Sequence, residues 1–268
     1  LNAQRTSTQT PPLRVLFVVS EAHPLIKTGG LGDVAGSLPQ ALAKLGCDVR
    51  ILLPAYPSCV QRAGALKPVA SLSIPGSLDR VTLLAGRLPG TRVRIWLVDY
   101  PPAFDRAGNP YLDPYGQPWD DNAERYALLA RVAAALAQKR TTLTWQPEVV
   151  HCHDWQTGLV PVLLAQEVRR PASVFTIHNL AYQGLFPHAT FVDLGLPASL
   201  WAFDALEFHG QRRVDARPTA AQGRCPVLML VVAQRGSKVA ISAAVAAQTS
   251  RGWQEVARER RPTDRSEV

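Results

Sequence analysis

The sequence predicts an α/β fold, a Rossmann-like parallel sheet with helices on both faces. Three observations carry this. Short apolar, β-branched runs at residues 15–19, 148–151 and 173–177 read as buried strands, and stretches with helical apolar spacing separate them. A glycine-rich stretch, Lys27-Thr28-Gly29-Gly30-Leu31-Gly32-Asp33-Val34, lies between the first run and the first helical stretch. Polar clusters containing histidine follow the other two runs. Alternating strands and helices favour a parallel sheet. In open sheets of this kind, ligands bind outside the carboxyl ends of the strands.

In chain order, residues 15–19 form the first strand, expected at the centre of the sheet. The spacing of Val34, Leu38, Leu42 and Leu45 predicts a helix over residues 35–45, closed by Gly46. Residues 48–53 make a second strand, and Pro54-Ala55-Tyr56-Pro57 begins an irregular connection. Three short strand candidates follow at residues 69–74, 80–88 and 92–98. A loop rich in Pro, Gly, Tyr and Asp spans residues 99–120 and contains Gly108-Asn109-Pro110-Tyr111. Helical spacing returns at 122–138, then a strand at 148–151, a helix at 158–169 and a strand at 173–177.

Composition bounds the function classes. A chain of 268 residues fits one large domain or two small ones, and 47% hydrophobic content is ordinary for a globular protein. No apolar run approaches the roughly 20 residues needed to span a membrane; the run at 227–233 is too short. Residues 1–10 are polar and lack the apolar core of a secretory signal. We expect residues 1–12 to be a disordered lead-in, with a Ser/Thr content that also suits the remnant of an organelle transit peptide. Cys47, Cys59, Cys152 and Cys225 form no C-x-x-C pair, which suits a reducing compartment and neither a zinc site nor a disulfide framework. The net charge of +8 is unevenly placed: residues 211–268 carry 11 Lys+Arg against 5 Asp+Glu, leaving 18 against 16 in residues 1–210. The basic character belongs to the tail, so the global charge is not the footprint of a nucleic-acid binder.

The glycine stretch sits in a strand-to-helix loop. Gly29 and Gly30 can take positive φ and allow close approach to the backbone, the N–H groups opening the next helix attract anions, and Lys27 adds a mobile charge suited to phosphate. This reads as a cradle for a diphosphate or sugar phosphate. Two other readings compete. The glycines could serve only the turn. A dinucleotide fold wants G-x-G-x-x-G, whereas Gly30, Gly32 and Gly36 give G-x-G-x-x-x-G, and the second strand ends in Leu53-Pro54 rather than an acidic residue. At the other strand ends stand His151-Cys152-His153-Asp154-Trp155 and His178-Asn179-Leu180-Ala181-Tyr182-Gln183-Gly184. His151, His153 and His178 could supply three imidazoles to a metal; the competing reading has His151 satisfied by hydrogen bonds near a strand end. Convergence of these groups with Lys27 at one sheet edge is the site signal.

The run Phe17-Val18-Val19-Ser20-Glu21, followed by Lys27-Thr28-Gly29-Gly30-Leu31-Gly32-Asp33-Val34, resembles the amino-terminal signature of bacterial glycogen synthases and plant starch synthases. Further blocks extend the likeness. Residues 147–158, around His153-Asp154-Trp155, resemble that family's histidine-aspartate-tryptophan block, and residues 176–184, around His178-Asn179, its histidine-asparagine block. Gly108-Asn109-Pro110-Tyr111 looks like its tyrosine loop, and Leu206-Glu207-Phe208-His209-Gly210-Gln211 like the block before its next strand. The resemblance covers residues 14–211 and then stops.

The resemblance implies the amino-terminal half of a two-domain GT-B glycosyltransferase that moves glucose, with retention, from ADP-glucose to the non-reducing end of an α-1,4-glucan. It implies no cofactor, no metal, no nucleic acid and no membrane partner, and a bacterial cytoplasmic or, alternatively, plastid location. Carried over by motif, His178 and Asp154 line the glucose pocket and act in catalysis. Lys27, Gly29 and Gly30 meet the donor phosphates, Asp33 opens the helix beside them, and Asn179 and Tyr111 contact sugar or acceptor. Residues 13–211 are then the catalytic domain's first half. Residues 212–268 are an off-family basic tail, expected to be poorly ordered, although the 227–232 patch could form a strand. On this reading the chain is a truncated piece, inactive alone. The rivals are another nucleotide-sugar transferase domain, which would keep the fold, and a non-catalytic glucan-binding module built on Trp155, Trp119 and Tyr182.

Overall fold

The computed structural model describes residues 11–179, 181–201, 206–208, 211–213, 227–235, 238–249 and 252–261. Its elements, in order, are β1 (Arg14–Val18), α1 (Gly30–Lys44), β2 (Asp48–Pro54), α2 (Pro57–Arg62), β3 (Lys67–Leu72), β4 (Val81–Arg87), β5 (Arg94–Asp99), α3 (Pro101–Phe104), α4 (Asn122–Ala137), β6 (Val149–His153), α5 (Leu159–Ala165), β7 (Ala172–Ile177), β8 (Leu185–Pro187), α6 (His188–Asp193), β9 (Glu207–Phe208), β10 (Gln211–Arg213), β11 (Val227–Arg235), β12 (Lys238–Thr249) and β13 (Gly252–Arg261). The expected lead-in at residues 1–12 lies outside the described residues apart from Pro11 and Pro12.

The sheet runs β7-β6-β1-β2-β5-β4-β3, with the first five strands mutually parallel. β1 lies inside it, and Leu16, Phe17 and Val18 are fully buried. That is what an apolar strand covered on both faces requires. The chain moves from β1 to β2 on one side and returns through α4 to β6 on the other. The order therefore reverses between β1 and β6, and a crevice opens there at the carboxyl ends. Right-handed crossovers put α1 on one face and α4 and α5 on the other. α4 packs on α5, and most of its side chains are buried, including Tyr126, Leu129, Val132 and Leu136. It is a core helix rather than a surface one.

Three details differ from what the sequence predicts. The sheet is parallel only in part, because β4 pairs antiparallel with both β3 and β5. The connections at residues 73–80 and 88–93 are too short for a parallel crossover, which takes about a dozen residues or more. Helix α1 begins five residues before the predicted start, and its fully buried face is Leu31, Gly32, Ala35, Gly36 and Pro39, with Leu38 and Leu42 only partly buried against the core. Small residues let the helix backbone lie close to its neighbours. A Cβ on Gly36 would sit 2.6 Å from the His23 carbonyl oxygen, and Leu45, past the helix end, is 80% exposed. Finally, three strands lie in the segment expected as a poorly ordered tail. β11 contains the 227–232 patch and pairs parallel with β7, and β12 and β13 follow antiparallel. β11 carries Val227, Val231 and Val232, residues that favour a strand, and Gly236-Ser237 between β11 and β12 is a dipeptide suited to a short turn. β10 pairs with β8 and β9 in a separate small sheet.

Candidate functional site

The carboxyl ends of β1, β6 and β7 are adjacent and point the same way, so the segments that follow them share one edge. After β1, the chain runs through Glu21 and Lys27 into α1. His23 N–H donates to the Gly32 carbonyl at 2.9 Å, which folds this loop back on the helix. Gly29 caps the helix in an extended conformation (φ −150°), and Gly30 is its first residue, so neither uses the positive φ expected of it. What their lack of a side chain provides is open space, since a Cβ at either position would meet nothing within 4 Å. The backbone there is exposed to any ligand that approaches the helix terminus. Asp33 lies in the first turn rather than at the opening of the helix, and its carboxylate meets Lys27 Nζ at 2.7 Å, with both side chains about half exposed.

After β6 the chain turns sharply. Asp154 adopts φ 54° and ψ −179°, a combination essentially confined to glycine. It is held there by its own N–H, which donates to the Thr176 carbonyl at 2.9 Å, and by its Oδ1, which accepts the His178 N–H at 2.7 Å. Asp154 and His178 are thus joined directly. The Asn179 N–H also stabilises the Asp154 carboxylate, but burial outweighs both contacts and raises its pKa to about 6. Gly184 closes over this turn. Its φ is 60°, and a Cβ there would lie only 2.7 Å from the Trp155 ring, so no larger residue fits. Asn179 is exposed, and its Oδ1 accepts the Ala181 N–H at 2.9 Å. His151 and His153 point to the same side, with ring centroids 4.1 Å apart. His151 Nε2 is hydrogen-bonded to the Thr176 hydroxyl at 2.8 Å, and His153 Nδ1 to His178 Nε2 at 3.0 Å. Among the described residues, no group of three or more His, Cys, Asp or Glu could hold a metal ion.

The tyrosine loop is shaped locally and then fastened to α4. Asn109 Oδ1 accepts the N–H groups of Tyr111 and Leu112, each at 2.8 Å, the turn for which an Asn before Pro is suited. Buried Arg125 on α4 donates to the carbonyls of Ala103 (2.6 Å) and Pro110 (3.1 Å), and Asn122 Nδ2 to that of Tyr111 (3.0 Å). The Tyr111 hydroxyl turns inward. It donates to Glu21 Oε1 at 2.9 Å and lies 2.8 Å from Ser20 Oγ. Glu21, 3% exposed, also accepts the Thr28 N–H on Oε2 and the Thr28 hydroxyl on Oε1 at 3.0 Å. One buried carboxylate therefore ties the glycine stretch to the tyrosine loop. The sequence motifs include Glu21 but give it no role. The signal that could have found it is an acidic residue immediately beyond a fully apolar strand, where burial demands partners. An open cleft of about 440 Å³ flanks these loops between Ile26, Tyr56, Arg106 and Asn109. Lys27, Asp154 and His178 do not line it.

Burial depresses the pKa of His151 to about 4, with His178 adding to the effect; burial alone takes His178 to about 4. His153 is pushed well below 6.5 by burial and by its two imidazole neighbours. The consequence for stability has a definite sign. Below about pH 6.5 the unfolded chain takes up protons at these three imidazoles and the folded chain does not, so stability present above that pH is lost as pH falls toward 4. Asp154 opposes this, because the folded chain keeps its proton between about pH 6 and 4 where the unfolded chain has lost it. Three imidazoles against one carboxyl leave a net uptake of protons on unfolding, so stability falls as pH drops from about 6.5 toward 4. Urea unfolding near neutral pH and near pH 5 checks this; equal stability at the two would contradict it.

Comparison with known proteins fits this geometry. The family model described as "Starch synthase catalytic domain" matches residues 14–226, past residue 211 where the motif blocks end. The chain is 60% identical over 199 residues to "Glycogen synthase 1" of Methylococcus capsulatus, covering 74% of this chain and 40% of that protein. It is 56% identical over 200 residues to "Glycogen synthase" of Thioalkalivibrio sulfidiphilus, covering 74% and 41%. Among solved structures it is similar to the catalytic domain of starch synthase IV from Arabidopsis thaliana bound to ADP and acarbose, with a TM-score of 0.63 and 26% identity over 76% of this chain and 42% of that one. The chain thus spans about two fifths of the length of the curated relatives it matches. A mostly parallel sheet whose switch-point edge carries the lysine–glycine stretch, the aspartate–tryptophan turn and the histidine–asparagine pair, together with a family match over most of the chain's length, settles the assignment: this chain belongs to the starch synthase catalytic domain family.

Proposed function

We propose that this chain is the first half of a two-domain GT-B glucosyltransferase that moves glucose from ADP-glucose to the non-reducing end of an α-1,4-glucan with retention. The observation that supports it most is the convergence, at the switch point between β1 and β6, of the α1 terminus with Lys27, the Asp154 carboxylate and the His178 imidazole. The ADP in the related plant structure favours the same nucleotide here. On this reading residues 13–211 form the catalytic domain's first half, and a bacterial cytoplasmic setting agrees with the bacterial relatives.

Each group then has a task. The N–H groups at Gly29 and Gly30 and the Lys27 ammonium take up the negative charge of the departing diphosphate. Asp33 holds Lys27 ready through their ion pair. Asp154, largely ionised at neutral pH, places negative charge near the oxocarbenium-like centre. His178 stays neutral and hydrogen-bonds a sugar oxygen. Asn179, exposed at the same edge, contacts sugar or acceptor. Tyr111 acts by fixing its loop through Glu21, because its hydroxyl is already engaged.

Lys27→Ala, introduced into a full-length enzyme carrying this chain as its first half, is expected to weaken ADP-glucose binding at least about tenfold. A hydrogen bond to a charged group is worth about 1.5–3 kcal/mol. Stability should change by less than about 1 kcal/mol, because the Lys27–Asp33 pair is half exposed. Calorimetric titration with ADP-glucose, and separately with a linear maltodextrin, is the test. Unchanged donor affinity would remove Lys27 from the donor site; maltodextrin binding alone, in the wild type, would favour a glucan-binding module instead.

A further inference from the structure

His153 is fully buried, yet among the described residues its ring has only one hydrogen-bonding partner. Its ring lies against Phe17 and His151, with centroids 4.1 Å away in each case. Nδ1 meets His178 Nε2 at 3.0 Å, and Nε2 meets no hydrogen-bond partner among the described residues. Two neutral arrangements satisfy the contact. In one, His178 carries the proton on Nε2 and donates, which leaves His153 with an N–H on its orphaned Nε2. In the other, His153 carries the proton on Nδ1 and donates, which leaves only a bare lone pair on the orphaned atom. Orphaned buried N–H groups are rarer than under-satisfied acceptors. The second arrangement wins. A charged imidazolium is no alternative in this apolar setting, with two further imidazoles alongside.

We infer that His153 is a positioning residue: by donating from Nδ1 to His178 Nε2, it fixes His178 as the tautomer with its proton on Nδ1, so that the ring can only donate a hydrogen bond to a ligand. The hydrogen bond made by one ring nitrogen decides which nitrogen carries the proton. An unconstrained neutral imidazole prefers the proton on Nε2, so the arrangement is imposed by the neighbour. His178 is partly exposed, and Nδ1 is its remaining polar atom once Nε2 is engaged. With the sugar-binding role proposed above, on which this last step rests, the partner of Nδ1–H is an acceptor oxygen of the bound glucose. Neither ring nitrogen is then free to take a proton during transfer.

Nitrogen-15 NMR of labelled imidazoles in the 268-residue chain reads the tautomer directly and needs no ligand. The wild type is expected to show His178 Nε2 in the bare-nitrogen range and Nδ1 protonated at neutral pH. His153→Asn, whose side-chain amide lies where Nδ1 does, should preserve this. His153→Phe keeps the ring but loses the donor, and should shift the His178 Nε2 resonance to the protonated range. A wild-type His178 protonated on Nε2, or a tautomer unmoved by His153→Phe, overturns the inference. If His153→Phe does not fold, the wild-type and His153→Asn spectra decide. Failure of ADP-glucose and maltodextrin to bind would count against the sugar-binding role and leave the tautomer result standing.

Discussion

Glu21→Ala is expected to destabilise the chain by on the order of 4 kcal/mol, among the larger effects any single replacement in this site should have. Three donors lose their acceptor at once: the Thr28 N–H, the Thr28 hydroxyl and the Tyr111 hydroxyl. Hydrogen bonds to a charged group contribute about 1.5–3 kcal/mol each, and removing the acceptor leaves buried donors without partners. The three share one carboxylate, so their losses do not simply add. Glu21→Gln separates the contributions. With its amide oxygen at the Oε1 position it still accepts from both hydroxyls, but its amide nitrogen cannot accept from the Thr28 N–H, so about half the loss should remain. Urea unfolding of the three proteins gives the values. Limited proteolysis should show new cleavage at residues 22–30 and 106–116 in the alanine variant, because both loops depend on the same group. A loss below about 1 kcal/mol in Glu21→Ala would mean that the carboxylate merely fills space between them.

The second expectation is that a polypeptide of these 268 residues does not by itself transfer glucose from ADP-glucose at a rate near that of its full-length relatives. Holding donor and acceptor in a dry, oriented cleft can account for about 7–11 kcal/mol of barrier lowering, about five decades of rate or more. On the proposed function, the groups gathered at the carboxyl ends of β1, β6 and β7 are one wall of such a cleft. The chain covers 40% of the length of its Methylococcus relative, and a wall facing solvent has its electrostatics screened. A radiolabel assay with ADP-glucose and glycogen is sensitive enough to decide. Incorporation within about tenfold of a full-length enzyme would show that the strands at residues 227–261, or a second copy of the chain, complete the site.

What was legible in the sequence is what local pattern encodes. β1, β6 and β7 stand out because buried parallel strands are short and continuously apolar. The glycine stretch stands out because it joins one of them to a helix. Their common edge then follows from the rule for parallel sheets, and with it the meeting of Asp154 and His178. Glu21 was not legible as a clamp, because its partners Thr28 and Tyr111 lie 7 and 90 residues away and the motifs that contain them do not show that they meet. The use of Gly29 and Gly30 was hidden for a similar reason. A sequence shows that a glycine can adopt unusual angles, but only the folded chain shows whether open space or φ is what the position needs. The direction of β4 was decided by connection length, which was readable, but the alternation of its neighbours gave no sign of it.

The turn at Asp154 has one more consequence. A side chain held at φ 54° and ψ −179° carries a local conformational cost of about 1–3 kcal/mol, which glycine would not incur. Asp154→Gly should therefore relieve strain and lose the raised-pKa carboxylate in the same step. The less comfortable residue stands at this turn, although nearby Gly184 does take a positive φ. Stability of the turn alone favours glycine here. On the proposed function the cost has a use: the carboxylate is already aimed before any ligand arrives, so that reorganisation need not be repeated when a ligand binds.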